Sequence, residues 1–182
     1  MRVTKTSEID AFLEAAYAID RTTWQFTRFG RGLAARDIDV ARGEMQLLAK
    51  RGWLRSYLLK CGDVPCSFIL GQQYGTRFHP YNVGVDEKWL SYSAGTIILL
   101  LVLEDLFKEN SPQVYDFGSH VKWQELFATE SYPETSVWLF RRRSYPLLAG
   151  SIYRACNMIS TTAGAALERV GLKSRMRKLL WR

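Results

Sequence analysis

Cysteine is scarce in this sequence. Three residues of 182, Cys61, Cys66 and Cys156, are too few for a disulfide framework and lack zinc-site spacing. Histidine is scarcer, with two, so no metal cluster is expected. Long hydrophobic runs are missing too. The longest, Ile97 to Leu103, has seven residues, against the ~18 that a transmembrane helix needs. The opening residues Met-Arg-Val-Thr-Lys-Thr-Ser-Glu have no apolar signal-peptide core. These absences make a reducing cytoplasm the expected compartment.

Acidic residues are nearly absent from one segment. Residues 141–182 hold ten Lys/Arg against one acid, Glu168. Residues 1–140 hold 15 Lys/Arg against 17 Asp/Glu. The net charge of +7 therefore belongs to the C-terminal segment. Such a segment suits an anionic surface or a phosphorylated ligand, or serves as a solvated helix face. What is present is otherwise ordinary for a globular chain: 47% apolar and 24% charged residues. That excludes wholesale disorder and fits one compact domain with an appendage. The expected division is a domain over 1–143 and a basic helical extension over 144–182.

The hydrophobic period predicts the elements. Residues 2–5 read as a short strand. Ser7 is the expected cap of a helix from Glu8 to Asp20, with Ile9, Phe12, Leu13, Ala16 and Tyr17 on one face. Residues 21–35 read as a loop. Asp37 caps a second helix that stops at Gly52. The period then becomes two. Trp53 to Lys60, Val64 to Tyr74 and Phe78 to Val85 form an expected antiparallel meander, turned at Gly62-Asp63 and Gly75. Thr96 to Lys108 is apolar almost all round and is expected to be buried on most sides. Val114 to Phe117 reads as a strand, Val121 to Phe127 as a short helix, Thr135 to Phe140 as a strand. Helical pattern dominates from Tyr145, with a break at Gly171. A helix linking the meander to a later strand implies one parallel pair in a mostly antiparallel sheet.

This order resembles the GNAT acyltransferase fold, an α/β (α+β) architecture with a mixed central sheet flanked by helices. Gly52-Trp53-Leu54-Arg55, the hairpin, Asp86, Ser93-x-Gly95 and Asp116-Phe117-Gly118 together resemble the second unit of bacterial CelD-like, cellulose-biosynthesis-associated acetyltransferases. Those are related to the Fem-type aminoacyltransferases. The resemblance covers about residues 45–130. It implies an acetyl-CoA or other acyl-CoA co-substrate and an envelope- or exopolysaccharide-related small molecule or sugar as acceptor. It also implies a pyrophosphate site at the helix start formed by Ser93, Ala94, Gly95 and Thr96, where unpaired amides and the helix dipole favour an anion. Ser93 serves equally as an ordinary cap.

For the chemistry, His120 is a candidate base and Asp116 its orienter or an ammonium ligand. Tyr92 is a candidate acid. Asp86 either binds the acceptor or caps a loop. Trp123 and Gln124 occupy the positions of the family's Tyr-Lys pair and are candidate acceptor contacts; Gln124 cannot supply the lysine's charge. His79, in an aromatic cluster, is expected to pack or cap. Family members usually carry two such units, so a partner unit or a homodimer is the expected alternative to a self-sufficient enzyme. A Fem-type aminoacyltransferase is the other alternative. The basic amphipathic tail, with Leu172, Met176, Leu179, Leu180 and Trp181 among Lys and Arg, can pack on the body of the chain or on a partner unit, or lie on an anionic inner membrane. No nucleic-acid motif is present, so nucleic acid is not an expected partner.

Overall fold

The computed structural model describes residues 1–109, 112–118, 122–133, 137 and 144–169. The chain divides into two compact units, Met1–Glu130 and Ser131–Arg182.

The first unit is built on a five-stranded sheet: β1 (Arg2–Val3), β2 (Ser56–Cys61), β3 (Val64–Tyr74), β4 (Arg77–Val85) and β5 (Val114–Tyr115). Its spatial order follows the sequence. All neighbours pair antiparallel except β4 and β5, which are parallel. The expected mixed, mostly antiparallel sheet is thus observed. β2 begins at Ser56 rather than Trp53; upstream of it only Leu54 pairs, as a lone bridge to Gln72.

Helices cover both faces. α1 (Ile9–Asp20) and α3 (Ile38–Lys50) share a core with Leu54, Leu58, Phe68 and Leu70 from one face of the sheet. Phe12 and Phe68, both fully buried, meet edge to face at 6.2 Å, each contributing about 1.5–3 kcal/mol of apolar transfer. On the other face, Ile98, Val102 and Leu106 of α4 (Ala94–Lys108) pack on Tyr57, Ile69 and Phe78. The two cores use alternate residues of β3, as strand geometry requires.

Several local expectations need correction. Ser7 does not cap α1. A 3-10 turn over Thr6–Glu8 precedes it, and the Glu8 carboxylate accepts from the amides of Thr4 (2.9 Å) and Lys5 (3.0 Å). The expected loop at 21–35 contains a short helix α2 (Trp24–Phe29) and a 3-10 turn over Leu33–Ala35. Thr23 caps α2, and Gly30, in the left-handed region at φ 57°, ends it. Asp37 caps α3 as expected, accepting from Asp39 at 2.7 Å. α4 is not buried all round: Ile97, Leu100, Leu101 and Phe107 are exposed, because only one side of the helix meets the sheet. Lys122–Leu126 forms a 3-10 turn where a short helix was expected. Of the expected strand at 135–140 only Val137 is described, and it lies in no strand; the break at Gly171 lies outside the described residues.

The second unit holds one long helix, α5 (Ser144–Arg169).

Candidate functional site

β4 organises the site, because its two ends carry different features. At its start it pairs with β5 through Arg77 with Val114 and Phe78 with Tyr115. The Asp116 amide donates to the Phe78 carbonyl at 2.8 Å, and among the described residues the pairing stops there. β4 continues to Val85. Against β3 its register slips, so that Gly71 faces Pro80 and Leu70 faces Asn82, leaving Tyr81 as an extra, bulged residue. Bulges bend a strand and raise its twist. The two parallel strands therefore part beside a kink in β4.

At the far end of β4, Asp86 starts a 3-10 turn over Glu87–Tyr92 by accepting from the Lys88 amide at 3.0 Å. Ser93 then takes a left-handed conformation, φ 56°, and α4 begins. The Ser93 carbonyl accepts from Thr96 (2.9 Å) and Ile97 (3.0 Å). Its side chain makes no capping bond, so ordinary side-chain capping does not explain this serine. The amides of Ala94 and Gly95 lead the helix, where no intrahelical acceptor exists, and the first turn carries no acid. A Cβ on Gly95 would lie 3.0 Å from Val85 Cγ2. Glycine thus lets the helix start lie directly on the end of β4.

The near end of β4 carries a cleft of about 470 Å³, lined by Gln72, Tyr74, Thr76, Arg77, His79 and Asp116 with Gly75. Gln72 pairs with His79 and Tyr74 with Arg77, so these side chains share the sheet face that carries α1 and α3. Asp116 joins them from the end of β5, while Tyr115 turns the other way onto Phe78, ring centroids 5.3 Å apart. Asp116 Oδ2 lies 2.8 Å from Arg77 Nη1 and 3.8 Å from His79 Nδ1, and Oδ1 accepts from the Gly118 amide at 2.9 Å. Burial alone would raise the Asp116 carboxyl. The Gly118 N–H and the Arg77 guanidinium outweigh it and hold the group below the usual carboxylate range. Asp116 is thus an ionised, oriented acceptor beside a histidine. Tyr81, at the bulge, is pushed up to about 12 by burial, with Glu44 adding to the rise. It remains a protonated phenol at neutral pH, although its ring stays partly exposed.

The candidate residues therefore fall into two groups. Ser93, Ala94, Gly95 and Thr96 stand together at the start of α4, with the exposed Tyr92 against Trp89 beside them. Asp116 stands at the other end of β4. The seven steps from Phe78 to Val85 span about 23 Å, so Tyr92 and Asp116 are not brought together. Asp86 is engaged as a cap. Gln124 is buried and donates to the Phe117 carbonyl at 3.2 Å, which fixes the loop after Asp116. Trp123 lies in the adjoining 3-10 turn. His120 lies outside the described residues.

The sequence reading did not single out Arg77 and took His79 to pack or cap; the structure places both in the lining of the cleft. The signal that finds them is the β3–β4–β5 register, which the sequence alone does not print. The sequence reading also missed a second charged cluster, across the sheet. The Arg55 guanidinium, 7% exposed, reaches Tyr57 Oη (2.5 Å), Gln73 Oε1 (2.7 Å), Asp105 Oδ2 (2.8 Å) and Glu109 Oε2 (2.9 Å). Tyr57 donates to Asp105 at 2.9 Å, and Arg2 also pairs with Glu109. Two cations meet two carboxylates here, tying α4 to β2. The balanced charge fits a structural clamp rather than an ion-binding site.

The comparisons agree with this architecture. A family model described as an acetyltransferase (GNAT) domain matches residues 1–124. A solved structure of a possible acetyltransferase from Clostridium difficile 630 superposes with a TM-score of 0.57 at 11% identity, covering 78% of this chain and 97% of that one; it is similar in fold. Weaker matches are a GCN5-related N-acetyltransferase from Ralstonia eutropha JMP134 (TM-score 0.48, 14% identity, 78% and 95% covered) and a PaiA N-acetyltransferase from Thermoplasma acidophilum, solved with coenzyme A (0.42, 10%, 61% and 74%). No curated protein matches the chain.

Proposed function

Because the chain belongs to the acetyltransferase (GNAT) domain family, we propose that it is a CoA-dependent N- or O-acyltransferase. The observation that carries this reading is the parting of β4 from β5 after Phe78, with the start of α4 seated on the far end of the same strand. The first turn of α4 fits an anionic ligand: small residues, two leading amides, a Ser93 hydroxyl not used for capping, and no carboxylate. Ser93, Gly95 and Thr96 would hold the CoA phosphates. When bound, acyl-CoA supplies an activated thioester. The chain's own residues do the rest. The bulged backbone around Tyr81 lines the parting of the strands. His79 takes a proton from the acceptor's nitrogen or oxygen, and Asp116 orients the imidazole. Arg77 keeps Asp116 ionised and in place. The resemblance of residues 45–130 to CelD-like enzymes supports an acceptor that is a sugar or small molecule of envelope or exopolysaccharide metabolism.

Calorimetry with acetyl-CoA tests the reading. The wild type should bind at micromolar concentration. Thr96→Asp places a negative charge in the first turn of α4. That favours the helix by about 0.3–1 kcal/mol. It opposes a phosphate at ~5 Å by about 3 kcal/mol at an effective dielectric near 20. Affinity should fall at least tenfold without any loss of melting temperature. A folded wild type that binds no acetyl-CoA, or a variant that binds as well, would overturn it. His79→Gln should keep acetyl-CoA binding and lose ~10²–10⁴ in transfer rate to whichever amine or aminosugar serves as acceptor.

A second reading is a unit completed by another copy of itself. The exposed apolar row of Ile97, Leu100, Leu101 and Phe107 on α4 favours it. It requires a dimer in sedimentation equilibrium that Leu100→Lys disperses.

A further inference from the structure

We infer that α5, with the basic residues that flank it in sequence, is an in-plane anchor for an anionic lipid bilayer. α5 has 26 residues and a length of about 39 Å. Tyr145, Leu148, Ile152 and Ile159 recur at helical spacing, with Ala149, Ala155, Cys156 and Ala163 filling the same stripe. All four large side chains are more than half exposed, from 55% for Ile152 to 79% for Tyr145. From Ser144 to Ala163 the only charged residue is Arg154, which falls on the opposite face with Gly150, Asn157 and Thr161. Three hydroxyls are satisfied within the helix: Ser151 donates to the Leu147 carbonyl at 2.9 Å, Thr161 to Asn157 at 2.9 Å and Thr162 to Met158 at 2.6 Å. A helix so arranged meets an apolar medium with few unpaired groups.

The charge pattern selects the medium. Arg141-Arg142-Arg143 precede α5, and Lys173, Arg175, Arg177, Lys178 and Arg182 follow it, with Glu168 as the one acid of the segment. Cations at both ends of an apolar stripe suit a bilayer whose headgroups are anionic, and Tyr145 and Trp181 belong to the residue types that settle at headgroup level. No helix among the described residues is long and apolar enough to cross a membrane, so the helix lies in the interface plane. Lipid contact would hold an acyltransferase close to acceptors carried on or near a membrane, but the inference stands whether or not the enzyme reading does.

The test is co-sedimentation of the full chain with vesicles. Binding is expected to phosphatidylglycerol/phosphatidylcholine vesicles and not to phosphatidylcholine alone. Raising salt from 0.1 to 0.5 M should weaken it at least tenfold. Arg141→Gln, Arg142→Gln and Arg143→Gln together should lower the partition coefficient roughly a hundredfold, at about fivefold per cation. Ile152→Asp with Ile159→Asp should abolish binding while acetyl-CoA affinity and far-ultraviolet dichroism stay unchanged. Four results overturn the inference: no sedimentation with anionic vesicles; binding untouched by the paired Asp substitutions; a stable dimer that those substitutions disperse, which assigns the stripe to a second copy; or tighter retention on a single-stranded RNA homopolymer than on vesicles, which assigns the cations to nucleic acid.

Discussion

Gly32→Ala should be among the most damaging single-methyl additions in the first unit. Gly32 has φ 121° and ψ −168°, a region that is essentially closed to residues with a Cβ and costs them about 1–3 kcal/mol. A Cβ there would also collide with Asp20 Oδ2 and lie 3.0 Å from Oδ1. Asp20 cannot yield freely. It is 2% exposed, and its carboxylate accepts from the amides of Ala34, at 2.8 Å, and Leu33. Pushing it aside sacrifices about 1.5–3 kcal/mol of charge-assisted hydrogen bonding. The sum is about 3–5 kcal/mol, or a fall of about 10–15 °C in melting temperature for a chain of this size. Urea denaturation followed by tryptophan fluorescence measures it. A double-mutant cycle separates the two causes. In an Asp20→Ala background the collision disappears and only the backbone cost remains, so the coupling should be about 2 kcal/mol. A coupling within ~0.5 kcal/mol of zero would refute the claim that Asp20 and Gly32 are fitted to each other. The loop at stake also carries Arg36, which pairs with Glu44 at 2.6 Å.

Two further outcomes follow from the packing around β4. Asp116→Asn should cost about 1–2 kcal/mol at pH 7. The native carboxyl is held below its usual value, so its contribution is present above the unfolded pKa of ~3.9 and is lost as pH falls through the lower folded value. The gap between variant and wild type should close below about pH 4 in urea titrations, and a gap unchanged at pH 2.5 would contradict the assignment. Gly84→Ala should destabilise by about 1–3 kcal/mol, because its Cβ overlaps the fully buried Phe68 ring, 2.9 Å from Cζ alone. A melting temperature within a degree of wild type would show that the Phe68 ring is free to move aside.

Much of this fold was legible because its signals are local. β3 runs from Val64 to Tyr74, as the Gly62-Asp63 and Gly75 turns predict, and Asp37 starts α3 where a cap was expected. α2 escaped notice because six residues are too few to show a period, although Thr23 and Gly30 mark its ends. Ser7 looked like a cap, yet a 3-10 turn intervenes, tied down by the Glu8 carboxylate on the Thr4 and Lys5 amides. The apolar run in α4 suggested burial on most sides, but a sequence cannot say whether anything covers the outer row. The site was less legible. The resemblance drew attention to Asp116, and the helix start at Ser93 was visible as small residues before an apolar run. His79 and Arg77 acquire meaning only through register, since Asp116 is 39 residues from Arg77 in sequence. The Arg55–Asp105 contact, 50 residues apart, was invisible for the same reason.

The parting of β4 from β5 also bears on solubility. Beyond Phe78, no strand pairs with that side of β4 among the described residues, and a bare strand edge is a template on which another chain can add a strand. Two irregularities spoil the template. Pro80 has no N–H to offer, and the extra residue at Tyr81 throws the next donors out of step. The kink beside which the two strands part thus also guards the bare edge of β4 against edge-to-edge association. Straightening it would turn that edge into an aggregation site.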